Sequence, residues 1–428
     1  MNAFKKIIAG IGTALAVACS APTEELPLPV RKAFTCNPTL GDILFTSTDY
    51  NERPLPPPTL WTVKEDGSNL HQIPTQANFF YPLATTKDGC GLVYSSGLLD
   101  DWEPDSLNVM NTDGSNPRKI ADLQASEGIT FSPDGNQVGY SAIQRPEGCT
   151  SKSCVTGSIQ LTDLIEGTTK EIAGPLSALP QWSPRGDYIA FVTLRREEFD
   201  NAIDSINLYK VQAGTTKKLI TPAGLTGEIS WLPNGTQLAV SSGVNINDPE
   251  WKTNLYLISV DGTQRRISLE GFATGFKWSP DGKNVAFVSV VKDDPRQDGL
   301  YTLSLSNPTP SHIAQRYFEY DWSPDSTKIA FSEVIKIPID PFNPTIATFV
   351  YNTITKNTQR LSNGTDSFPD QSTSPKWSLD GERITYLQAT STTTANFLSV
   401  KPDGTQQRQI TNLPTAKGRD YFLLPQQP

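Results

Sequence analysis

One phrase recurs along this chain at a nearly fixed interval, and it limits the possible folds more than any other feature. It reads "WSPDGKNVAFVS" from Trp278, "FSPDGNQVGYSA" from Phe131, "WSPRGDYIAFVT" from Trp182 and "WLPNGTQLAVSS" from Trp231. It returns as "WSPDSTKIAFSE" from Trp322 and "WSLDGERITYLQ" from Trp377, with looser copies at "TTKDGCGLVYSS" from Thr85 and "NPTLGDILFTS" from Asn37. The equivalent inward residues of the eight copies are Phe45, Tyr94, Tyr140, Phe191, Val240, Phe287, Phe331 and Tyr386, spaced by 49, 46, 51, 49, 47, 44 and 55 positions. A fixed period in this range marks a repeat architecture.

Each copy reads as strand, tight turn, strand, because a turn pair, Asp-Gly or Asn-Gly in five of the eight copies, separates two runs of alternating apolar residues. A second phrase follows within each period, as in "NLYLISVDGTQRRI" (254–267), "LNVMNTDGSNPRKI" (107–120), "NLYKVQAGTTKKL" (207–219) and "FLSVKPDGTQQRQI" (397–410). It is a second hairpin. Each period therefore carries four short strands, a to d, and four strands per unit of this length make a propeller blade. Such a blade buries its faces only against two neighbours. The fold expected is all-β, a single propeller of four-stranded blades over 34–424, with eight blades and seven as the alternative because the first unit is degenerate. The Trp ending strand a packs between blades. The last segment, "GRDYFLLPQ" (418–426), can close the ring as an inner strand in the first blade, and the stretch from Ala33 to Cys36 competes for that place.

The first residues differ in kind. "MNAFKKIIAGIGTALAVACSAPTEE" has Lys5 and Lys6, an apolar stretch from Ile7 to Ala18, and small residues before Cys19. This is a secretory signal, too short to span a membrane as a helix. A Cys after "LAVA" is similar to a bacterial lipobox, although Leu15 lies one position further back than usual. The expectation is a signal peptide at 1–18, lipid on Cys19, and a tether at 19–33. Ser20 in place of Asp favours the outer membrane, and the whole places the protein in the periplasm or on the membrane facing it. Loss of the two lysines moves the formal charge from −9 to −11. An acidic chain is a poor partner for nucleic acid, because phosphate binding needs a basic surface.

Four cysteines remain: Cys36, Cys90, Cys149 and Cys154. An even count in an exported chain favours disulfides. Three pairings exist. Cys36 is expected at the end of the first strand a and Cys90 just after the "KDG" turn of the second unit, on one face. Cys149 and Cys154 share one b–c loop. The expected bonds are thus 36–90 and 149–154.

The a–b and c–d turns are short and uniform, whereas the b–c loops differ in every unit, and loops on a rigid scaffold are where binding is usually found. These loops bring together Tyr50, Trp102, Phe199, Trp251 and Phe342 with Asp100, Asp101, Glu103, Asp293 and Asp294. Exposed aromatic residues serve as interface anchors. "DDWEPD" lacks the spacing of a Ca²⁺ loop. No phosphate loop, dinucleotide fingerprint, zinc motif or triad stands out, so no metal and no cofactor is expected.

The "WSPDG-x-x-x-AF" phrase with its downstream "LY-x-x-x-x-DGT" resembles the TolB-type propeller family of exported bacterial proteins, across roughly 34–424. The resemblance implies fold more than function. Peptidases that carry this propeller type also need a G-x-S-x-G elbow and a late His. Neither is present, since nothing after His312 is a histidine. Oligogalacturonate-lyase-like propellers depend on several His; this chain has two, His71 and His312, both at strand d. The expected function is a non-enzymatic envelope lipoprotein that binds a protein, peptide or glycan through its b–c loops and touches the membrane through its lipid only. The alternative is a polysaccharide lyase or hydrolase using loop carboxylates as acid and base.

Overall fold

The computed structural model describes residues 32–37, 43–49, 59–75, 79–97, 106–122, 128–144, 156–174, 176–194, 203–220, 229–241, 252–270, 272–290, 295–336, 345–363, 372–389, 395–412 and 416–423. They form eight antiparallel four-stranded sheets, with one short 3-10 turn at Pro295–Gln297. These are the eight blades of a β-propeller. Blade 4 is typical: Ser177–Trp182, Tyr188–Leu194, Ile203–Lys210 and Thr215–Ile220 pair in sequence order. Neighbouring sheets meet chiefly through these first strands. The fourth strands lie outside, and in blade 7 all of Thr358–Arg360 is exposed. First strands therefore line the central channel and fourth strands form the rim.

The inward residue of each repeat is buried in all eight blades: Phe45, Tyr94, Tyr140, Phe191, Val240, Phe287, Phe331 and Tyr386 are each at most 7% exposed. Phe287 stacks on Phe276 and Tyr301, with ring centres 5.6 and 5.8 Å apart. Each buried side chain of this size contributes about 1.5–3 kcal/mol through removal from water. The Trp residues seal the seams between blades. The Trp231 indole N–H donates to Gln181 O and that of Trp322 to Lys277 O, both at 3.0 Å and both in the preceding blade.

The recurring Ser-Pro-Asp-Gly has a local cause. In blade 6 the Ser279 hydroxyl donates to Asp281 Oδ1 (2.6 Å) and accepts the Asn284 N–H (2.9 Å), while Asp281 Oδ1 accepts the Lys283 N–H (3.1 Å). Blades 3, 7 and 8 repeat this pattern through Ser132, Ser323 and Ser378. Gly282 takes the positive φ that the turn needs (69°). The turn thus satisfies its own polar groups within five residues. In blade 7, burial opposes ionisation of Asp325, yet donors from Ser323 and Thr327 and the charge of Lys328 hold its carboxyl down at about 2.

Ring closure resolves the competition at the first blade. Ile43–Asp49, Thr59–Val63 and His71–Ile73 form a sheet whose fourth member is Ala416–Leu423, paired antiparallel with Ile43–Asp49. The C-terminal segment is the inner strand. Residues 33–36 are no strand, so Cys36 does not end one, contrary to expectation. The chain there turns across the face that carries the a–b turns, because its backbone partners are side chains of blades 2 and 3 rather than a strand edge. Phe45 packs against Phe397 of blade 8 (5.0 Å) across the closed seam.

Candidate functional site

Three places combine polar chemistry with access. The first is the blade end opposite the Ser-Pro-Asp-Gly turns. Gln144 pairs with Thr156 and Ser47 with Thr59, so the connections 145–155 and 50–58 begin and end there. The anticipated binding residues Tyr50, Asp100, Asp101, Trp102, Glu103, Phe199, Trp251, Asp293, Asp294 and Phe342 lie outside the described residues, as do Cys19, Cys149 and Cys154. His71 and His312 are both on fourth strands and exposed, away from the channel.

The second place is the channel wall. In blades 3 to 7 the residue before the Trp or Phe of the repeat reaches the inner strand of the next blade. Thr130 Oγ1 accepts the Trp182 N–H (3.3 Å), Gln181 Nε2 donates to Ile229 O (2.7 Å), Ser230 Oγ accepts the Trp278 indole N–H (3.0 Å), Lys277 Nζ donates to Tyr320 O (2.7 Å), and Asp321 Oδ2 accepts the Trp377 N–H (2.9 Å). A belt of side-chain bonds thus runs from blade 3 to blade 8. The sequence carried the signal for it in the position before each "WSP". Lys277 opens onto the channel yet is enclosed by protein on its other sides. That enclosure, reinforced by the Lys376 charge, holds its ammonium below the ordinary lysine value, against the pull of Asp321 and Glu319. Burial pushes the Asp321 carboxyl up, against the Trp377 amide and the Lys376 and Lys277 charges. Two positions upstream of this belt the chain bulges. Gly128, Leu179, Gly275 and Ser374 all have positive φ, and for Leu179 (55°) this conformation is sterically costly.

The third place is on the turn face between blades 2 and 3, where residues 32–37 lie as a strap. Cys36 is bonded to Cys90, with Cα atoms 4.6 Å apart. The Ala33 N–H donates to Asn136 Oδ1 (3.0 Å) and the Thr35 N–H to Asn111 Oδ1 (3.0 Å). Arg118 donates to Ala33 O (3.3 Å) and its guanidinium sits 6.0 Å from the Phe34 ring centre. Lys32 pairs with Asp88 (3.3 Å), and Asn37 Nδ2 donates to Asp113 (3.2 Å). The Phe34 ring meets Phe131 edge-on at 6.0 Å and is 7% exposed. It occupies space made by one residue: a Cβ on Gly91 would lie 2.4 Å from the ring. The equivalent residue, whose N–H bonds the turn Ser or Thr oxygen, is Gln137, Tyr188, Asn284, Lys328 or Arg383 in other blades. Sequence reading placed the disulfide correctly but missed the strap. Its only trace was a Gly where other units carry a long side chain.

Residues 173–419 match the family model described as the TolB beta propeller domain. No curated protein matches the sequence. Among solved structures, dihydro-heme d1 dehydrogenase NirN is 13% identical, with 93% of this chain and 78% of that chain covered and a TM-score of 0.59. Oligogalacturonate lyase in complex with manganese is 17% identical over 71% of this chain and 85% of that chain, at 0.51. The β-propeller domain of the Trilobed protease from Pyrococcus furiosus, described as having an open velcro topology, is 14% identical over 79% and 97%, at 0.50. At these identities the likeness is one of fold.

Proposed function

The chain belongs to the TolB beta propeller domain family, and from that premise we propose that it is a non-enzymatic lipoprotein of the cell envelope. Its propeller binds a protein, peptide or glycan through the connections between second and third strands. The N-terminal segment is cleaved before Cys19, which carries the lipid and holds the protein at a membrane facing the periplasm.

The observation that supports this reading is the contrast between the two ends of the blades. On the turn end, Ser and Asp close the first turns of blades 3, 6, 7 and 8 with bonds to their own backbone, and a strap covers part of the surface. The other end carries connections that differ in length and sequence in every blade, rich in Trp, Phe, Asp and Glu. Surfaces built this way, variable loops on an invariant scaffold, are suited to recognition. Among the described residues no helix is long and apolar enough to cross a membrane.

The test is affinity capture from envelope extract with the native chain, the double variant Trp102→Ala/Trp251→Ala, and a turn-face control, Lys283→Ala. A partner held by the native chain and the control but lost from the loop variant supports the reading. A partner lost only from the control, or hydrolytic or lyase activity on envelope glycans that survives purification, overturns it.

A further inference from the structure

The strap has the character of a bound peptide held in place by a covalent lock. Two Asn side chains, from the second turn of blade 2 and the first turn of blade 3, accept successive alternate main-chain N–H groups. An arginine takes the intervening carbonyl. One aromatic ring fills a gap that exists only because residue 91 is Gly. None of these contacts is a strand pairing, and none of the eight sheets includes residues 32–37. The strap can leave without breaking a sheet.

We propose that residues 32–37 are a redox-locked strap. With the Cys36–Cys90 bond intact, the segment stays seated between blades 2 and 3. When the bond is reduced, the strap exchanges between seated and free, and the cleft beneath Phe34 opens on the turn face. Half-buried Cys36 is the point of entry, since Cys90 is fully buried. A dithiol reductant supplies the two electrons. Its thiolate attacks Cys36 Sγ, the S–S bond breaks and Cys90 leaves as thiolate. The reductant's second thiol then attacks the mixed disulfide, releasing Cys36 and leaving the reductant as a cyclic disulfide. Beyond the disulfide the seat includes four hydrogen bonds, an exposed ion pair and the Phe34 ring. Each such hydrogen bond and an exposed ion pair contribute little net stability, and with the ring they are set against the conformational cost of ordering six residues. The bond decides the balance.

Hydrogen exchange on the full chain, oxidised and after dithiol treatment, tests this. On reduction the amides of Ala33 and Thr35 are expected to lose at least tenfold in protection, while those of Gly91–Gly97 and Gln137–Gln144 keep theirs. Alkylation of Cys90 in the folded, reduced protein then becomes faster in Phe34→Ala than in the native sequence. The proposal is overturned if Ala33 and Thr35 stay as protected as before. It is equally overturned if the flanking strands lose protection together with the strap, because the strap is then part of the blade. Cys36→Ser gives the same comparison without a reductant, against which unfolding by the reagent itself is recognised.

Discussion

The first and last described segments of this chain are both secured near the first three blades, and by different physics. The last described segment, Ala416–Leu423, enters the sheet of blade 1 and is held by main-chain pairing along Ile43–Asp49. The first described segment, residues 32–37, enters no sheet and is held by side chains, one buried ring and one disulfide. Strand pairing is sequence-tolerant and cooperative with the whole ring. The strap depends on a few specific residues and involves only blades 2 and 3. The lesson is that closing the ring and covering its turn face are separate tasks. A cross-link appears where main-chain pairing is absent.

The largest effect is expected at the closed seam. Phe45 is fully buried and faces Phe397 across blades 1 and 8. Phe45→Ala removes a ring from a packed core and is expected to cost about 3–5 kcal/mol, measured by urea unfolding. A cost under about 1 kcal/mol would mean that the seam is not closed in solution.

The disulfide comes next. Cys36 and Cys90 are 54 positions apart, and the loop-entropy model gives roughly 4 kcal/mol as an upper guide for such a loop. Reduction is expected to lower the urea midpoint by less than Phe45→Ala does, without splitting the transition. Smaller again is Gly91→Ala. Its Cβ would meet the Phe34 ring at 2.4 Å, and overpacking of this kind costs about 1–3 kcal/mol. In a Phe34→Ala background the cost is expected to vanish, and a double-mutant cycle with no coupling would remove Phe34 from its assigned seat.

The repeat was legible because each level of the physics agreed with the next. Ser-Pro-Asp-Gly closes a turn by itself, the inward aromatic needs a neighbouring blade, and the period counts the blades. The strap was not legible in this way. Ala33–Cys36 has the alternation of a short strand, and only the three-dimensional competition with Ala416–Leu423 decides that it is something else. Gly91 passes unremarked in the repeat phrase, and its use is to admit a ring from residue 34. The channel belt was half visible: the position before "WSP" is easy to find, but Thr, Gln, Ser, Lys and Asp share no pattern beyond reaching the next blade. The binding residues drawn from the loops rest on sequence alone.

The smallest effects are electrostatic and have opposite signs. The Asp325 carboxyl is held at about 2, below its ordinary value of 3.8. A depressed acid contributes stability that is present above the unfolded value and is lost as pH falls from about 4 toward 2. Asp325→Asn is expected to flatten that part of the stability curve. Asp321 is raised by burial, so its contribution is present below the unfolded value and lost as pH rises through the folded one. Asp321→Asn, which keeps an acceptor for the Trp377 N–H, is expected to leave stability at neutral pH unchanged or higher. A marked loss there would mean that Lys277 and Lys376 more than offset the burial.

Equilibrium urea unfolding of two chains, each followed by tryptophan fluorescence and by far-UV circular dichroism, tests the separation of the two segments most directly. One chain is Cys36→Ser/Cys90→Ser, and the other ends at residue 412. The account predicts that the first unfolds in one transition, coincident by both probes, at a lower urea concentration than the native chain. It predicts that the second, lacking the inner strand of blade 1, loses the single sharp transition even with its disulfide intact. The opposite pair of results, a split transition without the disulfide and an intact one without the last strand, would contradict it, because the strap would then be what closes the ring.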